Sequence, residues 1–286
     1  MRSLFSPIPL FFVFLWSTGF IVARYGLPYA PPLTFLLLRF LGVLAILAPA
    51  VLLLRAPWPK GKVGHVAFAG LLLQAGYLSG VWCAIKLGMP AGLSALIVGM
   101  QPILTAFAAP LIGERVRPRQ WLGLVFGLGG VALVVYAKIT LVGLSWQAIA
   151  LAAFALLSIT AGTLYQKHYC PQFDLRTGTV IQFAASFLVV LPFAWLLEDM
   201  GSIQWTPQFF GAWAWSVLAL SIGAIFLLFA LIRRSNATQV SSLLYLTPPT
   251  TAIMAWAMFG EVLSWMGIAG MALAVIGVIF VVKQPK

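Results

Sequence analysis

The chain has 286 residues, 62% of them hydrophobic and only 8% charged, with a formal net charge of +12 and a mean hydropathy of +1.04. This composition excludes a soluble enzyme or binding domain, because no long polar stretch is left in which one could fold. The positive charge could signal nucleic acid, so its distribution has to decide.

Cut at Asp, Glu, Lys and Arg, the sequence falls into charge-free runs at 3–23, 63–85, 87–113, 120–137, 139–166, 177–197, 200–232, 235–260 and 262–282. One more run, 25–54, second in chain order and making ten in all, is interrupted only by Arg39. A helix rises about 1.5 Å per residue and the hydrocarbon core is about 30 Å thick, so each run is long enough to cross a bilayer. The expectation is an all-α polytopic membrane protein with ten transmembrane helices.

In chain order, the first run starts "MRSLFSPIPLFFVFLW", which is basic and then apolar like a signal peptide; we read it as a retained first span, with Trp16 inside it. The second carries Arg39, seven residues after Pro32 and thus about 10 Å inward. A cation at that depth pairs, snorkels or faces water, so it is a functional candidate by default. If it faces a cavity, its planar guanidinium suits a carboxylate or phosphate through two parallel hydrogen bonds. The third run contains Gln74, Tyr77 and Trp82, and the fourth the pair Gln101 and Pro102.

"LIGERVRPRQW" follows at 111–121, one carboxylate among three arginines. The fifth and tenth runs are rich in glycine ("GLVFGLGG", "GIAGMALAVIG") but lack a P-loop lysine, so they suit close helix packing rather than nucleotide. Tyr165 and Gln182 fall in the sixth and seventh runs, and Tyr245, Thr247, Pro248 and Pro249 in the ninth. Prolines at matching places in the fourth and ninth runs free backbone carbonyls, which survive in a membrane only where buried or lining water. Singly, the polar and aromatic residues also suit helix interfaces or aromatic belts. Cys83 and Cys170 lie too far apart in depth to pair, and Asn236 reads as a helix N-cap.

The charges settle the partner question. With the N-terminus cytoplasmic, thirteen basic residues (Arg2, Arg55, Lys60, Lys62, Arg115, Arg117, Arg119, Lys167, Arg176, Arg233, Arg234, Lys283 and Lys286) share that side, against Arg24, Lys86 and Lys138 opposite. This bias places both termini in the cytoplasm and makes the lipid bilayer, not nucleic acid, the partner.

An internal repeat sets the architecture. A slide of 147 residues lays "GLSALIVGMQPILTAFAAPLIGERV" over "QVSSLLYLTPPTTAIMAWAMFGEVL" without a gap, pairing Ser94 with Ser241, Pro102 with Pro249, and Gly113 and Glu114 with Gly260 and Glu261. Earlier in each half the offset is 143, where Gly19 meets Gly162 and Arg39 meets Gln182. Five spans per copy is an odd number, so the second copy enters the membrane upside down. The expected division is 1–138 and 139–286, two inverted five-helix repeats around a central cavity. Such repeats are built into many secondary transporters, with the substrate between the halves. Glu114 and Glu261 are candidates for gating, although a glycine closing one helix and a carboxylate opening the next also suit a plain structural joint.

The doubled Gly-Glu unit after a proline-containing span, the Gly-rich spans that follow it, "WSTGF" and Arg39 together resemble the EamA family of the drug/metabolite transporter superfamily. The resemblance covers both halves. It implies ten helices in two inverted repeats, usually in a bacterial inner membrane, and export of amino acids or other small metabolites.

Three classes of function compete. A transporter fits the repeat and the paired proline breaks; a channel would more often carry a ring of charge or a carbonyl filter. An intramembrane enzyme would need a nucleophile with its base or a metal cluster, whereas the acids and both histidines, His65 and His168, sit in loops or at span ends. The expected protein is therefore an exporter without catalytic residues, metal or cofactor, a monomer with a homodimer as the alternative. Without an acid or histidine deep in a span, facilitated movement down a substrate gradient is the expected coupling.

Overall fold

The computed structural model describes residues 7–108, 110, 113, 116–139, 145–234, 243–259 and 265–282. Among these residues the protein is all-helical. Helices α1 (Pro7–Gly26), α2 (Pro32–Leu53), α3 (Val63–Lys86) and α4 (Ala91–Ala108) are followed by α5 (Pro118–Ile139), α6 (Trp146–Tyr169) and α7 (Leu175–Leu197). Helix α8 starts as Pro207–Trp215 and ends as Ile225–Arg234, α9 is Thr247–Phe259 behind a 3-10 turn at Leu243–Leu246, and α10 is Trp265–Val282. Seven of the described helices, α1 to α4 and α6 to α8, are long and apolar enough to cross a membrane. In hydrocarbon every backbone polar group needs an internal partner, and a helix supplies it within its own segment.

Helix starts follow local chemistry. Proline at the first position of α2, α5 and α8 loses only an N–H that would be unpaired anyway. Ser145, Asp174 and Thr206 cap α6, α7 and α8 by accepting from Ala148 N, Arg176 N and Phe209 N. The start of α2 is held from the other half: Glu198, just past α7, accepts from Leu33 N at 2.9 Å, Thr34 N at 2.8 Å and Thr34 Oγ1 at 2.8 Å. Reciprocally, Thr177 at the start of α7 donates to the carbonyl of Pro57, just past α2, at 2.9 Å. Thr34 and Thr177 stand 143 residues apart, as do Pro49 and Pro192 within these two helices.

Irregularities also recur. Helix α3 passes through a π-helical stretch at Leu71–Gly76 and α8 through one at Ser216–Ala224. Helix α4 breaks at Met100, between Ala91–Gly99 and Gln101–Ala108, and 147 residues later Thr247 starts the α-helical part of α9. Thus Pro102, and Pro248 with Pro249, lie in the first turn of a restarted helix, where a missing N–H costs least.

Packing shows the same correspondence. Helix α5 lies along α10, α2 along α7, and α4 against α9; α3 packs on α6 and α7 as α8 packs on α1 and α2. Every one of these pairs maps onto another, or onto itself, when each helix is replaced by the one five places away. Glycines permit the closest approaches: a Cβ on Gly277 of α10 would collide with the backbone of Gly127 of α5. Gly113 takes a positive φ of 78°, the left-handed conformation expected of a glycine that ends a helix. Glu114, Gly260, Glu261, Ser241 and Asn236 lie outside the described residues.

Candidate functional site

Trp16, Gly19 and Phe20 of α1, Arg39 of α2, Gln74, Tyr77 and Trp82 of α3, and Leu220 and Ala224 of α8 enclose one pocket. It holds about 460 Å³ of space including its mouth, of which the centre of a water molecule can reach about 40 Å³. That is room for about three waters, taking roughly 10–15 Å³ for each.

Among the described residues Arg39 is the only charged side chain on this lining, and it is 4% exposed, so it does not snorkel. Its Nε donates to Ser221 Oγ at 2.7 Å, which fixes the guanidinium across the α2–α8 contact. Among the described residues its terminal nitrogens have no hydrogen-bond partner and no carboxylate pairs with it. Gln74 is 1% exposed and its Nε2 likewise lacks a partner. The pocket thus offers unspent donors, whose burial is costly unless something polar occupies the site.

Aromatic rings form the walls. Trp16 stacks parallel to Tyr77, centroids 6.0 Å apart, and Trp82 stacks on Phe35 at 4.5 Å. Both π-helical stretches border the site: Leu73 and Gln74 come from one, Leu220, Ser221 and Ala224 from the other. A π turn adds a residue without adding a turn, so it re-aims side chains; such turns are frequent at functional sites.

Of the residues singled out in the sequence, Arg39, Trp16, Gln74 and Tyr77 meet here, together with Trp82. The others lie outside this pocket. Gln101 Nε2 donates to Thr163 Oγ1 at 3.1 Å, while Gln101 Oε1 and Thr247 Oγ1 are buried without partners beside the breaks in α4 and α9. Pro102, Pro248 and Pro249 are buried near them in the chain. Tyr245 is fully buried, its hydroxyl donating to Leu124 O at 3.2 Å and its ring against Gly127. Gln182 Nε2 donates to Gln166 Oε1 at 2.8 Å, and its backbone abuts Gly70. Tyr165 bonds His65 Nδ1 at 2.7 Å in an exposed aromatic group with Phe68 and Tyr169.

Ser221 was not among the residues singled out in the sequence. A signal existed: at the 147-residue offset Gln74 and Gly76 fall on Ser221 and Gly223. An isolated serine in an apolar run does not stand out without its repeat partner.

Among the described residues no group of His, Cys, Asp and Glu could hold a metal ion. Comparison with known proteins then decides the family, because the profile of the EamA-like transporter family matches residues 8–136 and 146–283. The chain belongs to that family. It is 28% identical over 279 residues to the "Probable amino-acid metabolite efflux pump" of Salmonella typhimurium, covering 94% of this chain and 92% of that one. It is also 28% identical to the "Uncharacterized inner membrane transporter YedA" of Escherichia coli strain K12, over 92% of this chain and 86% of that one. The "Uncharacterized transporter YvbV" of Bacillus subtilis is 26% identical over 96% of this chain and 90% of its own. A crystal structure at 22% identity superposes with a TM-score of 0.74, covering 98% of this chain and 96% of that one, and shares the fold. The protein is an integral membrane protein of a transporter family.

Proposed function

We propose that this protein is a secondary transporter that exports a small polar metabolite carrying a carboxylate, such as an amino acid or a relative of one, across a bacterial inner membrane. The observation that carries this reading is Arg39, which is 4% exposed and unpaired by any described carboxylate in a pocket between α1, α2, α3 and α8. A buried cation without a counter-ion is expensive, and a substrate anion would offset the cost while bound. The relatives described as an efflux pump and an inner membrane transporter support the same class.

The proposed architecture is ten spans in two inverted repeats, residues 1–138 and 139–286, with both termini cytoplasmic. The corresponding π stretches, helix breaks and helix pairings support it. Alternating access between the halves supplies the movement, driven by the substrate gradient, with no cofactor and no catalytic step. Glu114 and Glu261, outside the described residues, are proposed as gating residues or as plain structural joints.

Counterflow in proteoliposomes tests the reading. Saturable exchange of labelled substrate supports it; ohmic current would favour a channel, and product without net movement an enzyme. Alkaline phosphatase fused after residue 140 is expected to be active and after residue 236 inactive, and the reverse would overturn the inverted topology.

A further inference from the structure

The pocket's chemistry selects further among carboxylates. Among the described residues its lining carries one cation and no acid: Arg39 stands with Gln74 among Trp16, Phe20, Tyr77, Leu78, Val81 and other apolar side chains. With Nε committed to Ser221, the guanidinium presents its end-on edge, two parallel N–H groups matched to the two oxygens of a carboxylate. Gln74 Nε2 adds a further unspent donor.

An ammonium in the same space would find only neutral acceptors among the described lining residues, the Tyr77 hydroxyl and the Gln74 amide oxygen, and no carboxylate. On this lining it would share the space with Arg39, and like charges at short range in low dielectric repel strongly. The stacked Trp16 and Tyr77 rings already face each other, and they suit an apolar or aromatic body better than a charged head.

We infer that the preferred substrate is a net monoanion, a carboxylate on an apolar or aromatic body whose amino group is absent or acylated, rather than a free zwitterionic amino acid. This inference rests on the transport reading above only for the direction of movement; recognition can be measured without flux.

Three compounds with the same ring and chain separate the charges: 3-phenylpropanoate carries one negative charge, phenylalanine is a zwitterion and phenethylamine carries one positive charge. Binding of each to the purified full-length protein is followed by ligand-induced thermal stabilisation and by tryptophan fluorescence, Trp16 and Trp82 lining the site. The expected order is 3-phenylpropanoate tightest, at least about tenfold tighter than phenylalanine, with phenethylamine weakest. Arg39→Gln is expected to erase the preference, whereas Arg39→Lys, which keeps the charge but not the fork, retains the order with weaker binding. Gln74→Leu is expected to weaken the anion by less than Arg39→Gln does. Equal or tighter binding of phenylalanine or phenethylamine overturns the inference, as does binding of none of the three at millimolar concentration. Binding in the expected order without counterflow would instead overturn the transport reading.

Discussion

Arg39 and Gln182 occupy the same place in the two halves, yet one opens a pocket and the other fills an interface. Beside Arg39, a Cβ built on Gly19 would meet nothing nearer than Leu220 at 3.9 Å. At the matching Gly162 a Cβ would stand 2.8 Å from Leu73, and at Gly70 one would stand 2.5 Å from the Cα of Gln182. Gln182 also spends its amide nitrogen on Gln166, whereas the terminal nitrogens of Arg39 find no partner among the described residues. The two places therefore differ in packing: Gly70 and Gly162 bring helices together around Gln182, while Gly19 leaves room at the pocket, even though Gly42 of α2 packs closely on Trp213 and Val217 of α8. A repeat locates equivalent positions, but only the filled or empty space around them tells which one is a candidate site.

That contrast can be broken by mutation, and the largest effect is expected at the closed interface around Gln182. Gly70→Ala forces the α3 and α7 backbones apart and is expected to destabilise the fold by about 1–3 kcal/mol, the usual cost of overpacking. Gly19→Ala, facing open space, is expected to stay within about 0.5 kcal/mol. Thermal denaturation in detergent measures both, and equal losses would remove the distinction between the pocket and the closed interface.

A second effect concerns the two ends of the α2–α7 pair. The α2 start depends on a carboxylate from beyond α7, whereas the α7 start has its own Asp174 as cap and also donates to the Pro57 carbonyl. Glu198→Ala is expected to cost about 1–2 kcal/mol, in the range of a lost helix cap, and Asp174→Ala less than that. An unaltered melting temperature for Glu198→Ala would show that the clasp carries no weight.

Ser221→Ala leaves Arg39 in place without its anchor. The expected result is normal expression with about tenfold weaker substrate affinity, since a hydrogen bond to a charged group is worth about 1.5–3 kcal/mol and part of it returns through water. Unchanged affinity would mean that the guanidinium is positioned by packing alone.

The smallest effect is in the loop before α7. The Arg176 guanidinium, hydrogen-bonded to Asp174 at 2.7 Å and 3.0 Å, holds that carboxyl below its ordinary value. A folded-state value below the unfolded one means that the stabilisation is present at neutral pH and is lost as pH falls through the folded value, below about pH 4. Arg176→Ala is expected to shift the acid limb of the stability profile slightly upward, as is usual for a solvent-accessible pair. A shift in the opposite direction would contradict the assignment.

Much of the fold could be read from the sequence because hydrocarbon is an unforgiving solvent: charge-free runs of sufficient length have few alternatives to helix. The start of α2 after Pro31 and the restarts at Gln101 and Thr247 also had local signals in proline. The π stretches did not, because inserting a residue into a turn is settled by side-chain packing between helices rather than by the segment's own composition. The site was legible in part. Arg39 stood out because intramembrane cations are rare, and Gln74, Tyr77 and Trp16 because they are polar or aromatic in apolar runs. The same criterion also picked Tyr245, Gln182 and Tyr165, which are held in other contacts, since a residue's type does not say which helix face meets a cavity.

The most direct test of the whole account is counterflow in proteoliposomes containing equal amounts of the parent protein or Arg39→Gln, with a labelled monocarboxylate or amino acid inside and out. The account predicts saturable exchange by the parent and a loss of at least about tenfold in Arg39→Gln, because one charge-assisted, two-bond contact is worth more than about 1.4 kcal/mol. Exchange by Arg39→Gln at the parent's rate and affinity would contradict it, leaving Arg39 as a structural residue and the pocket without its proposed anion site.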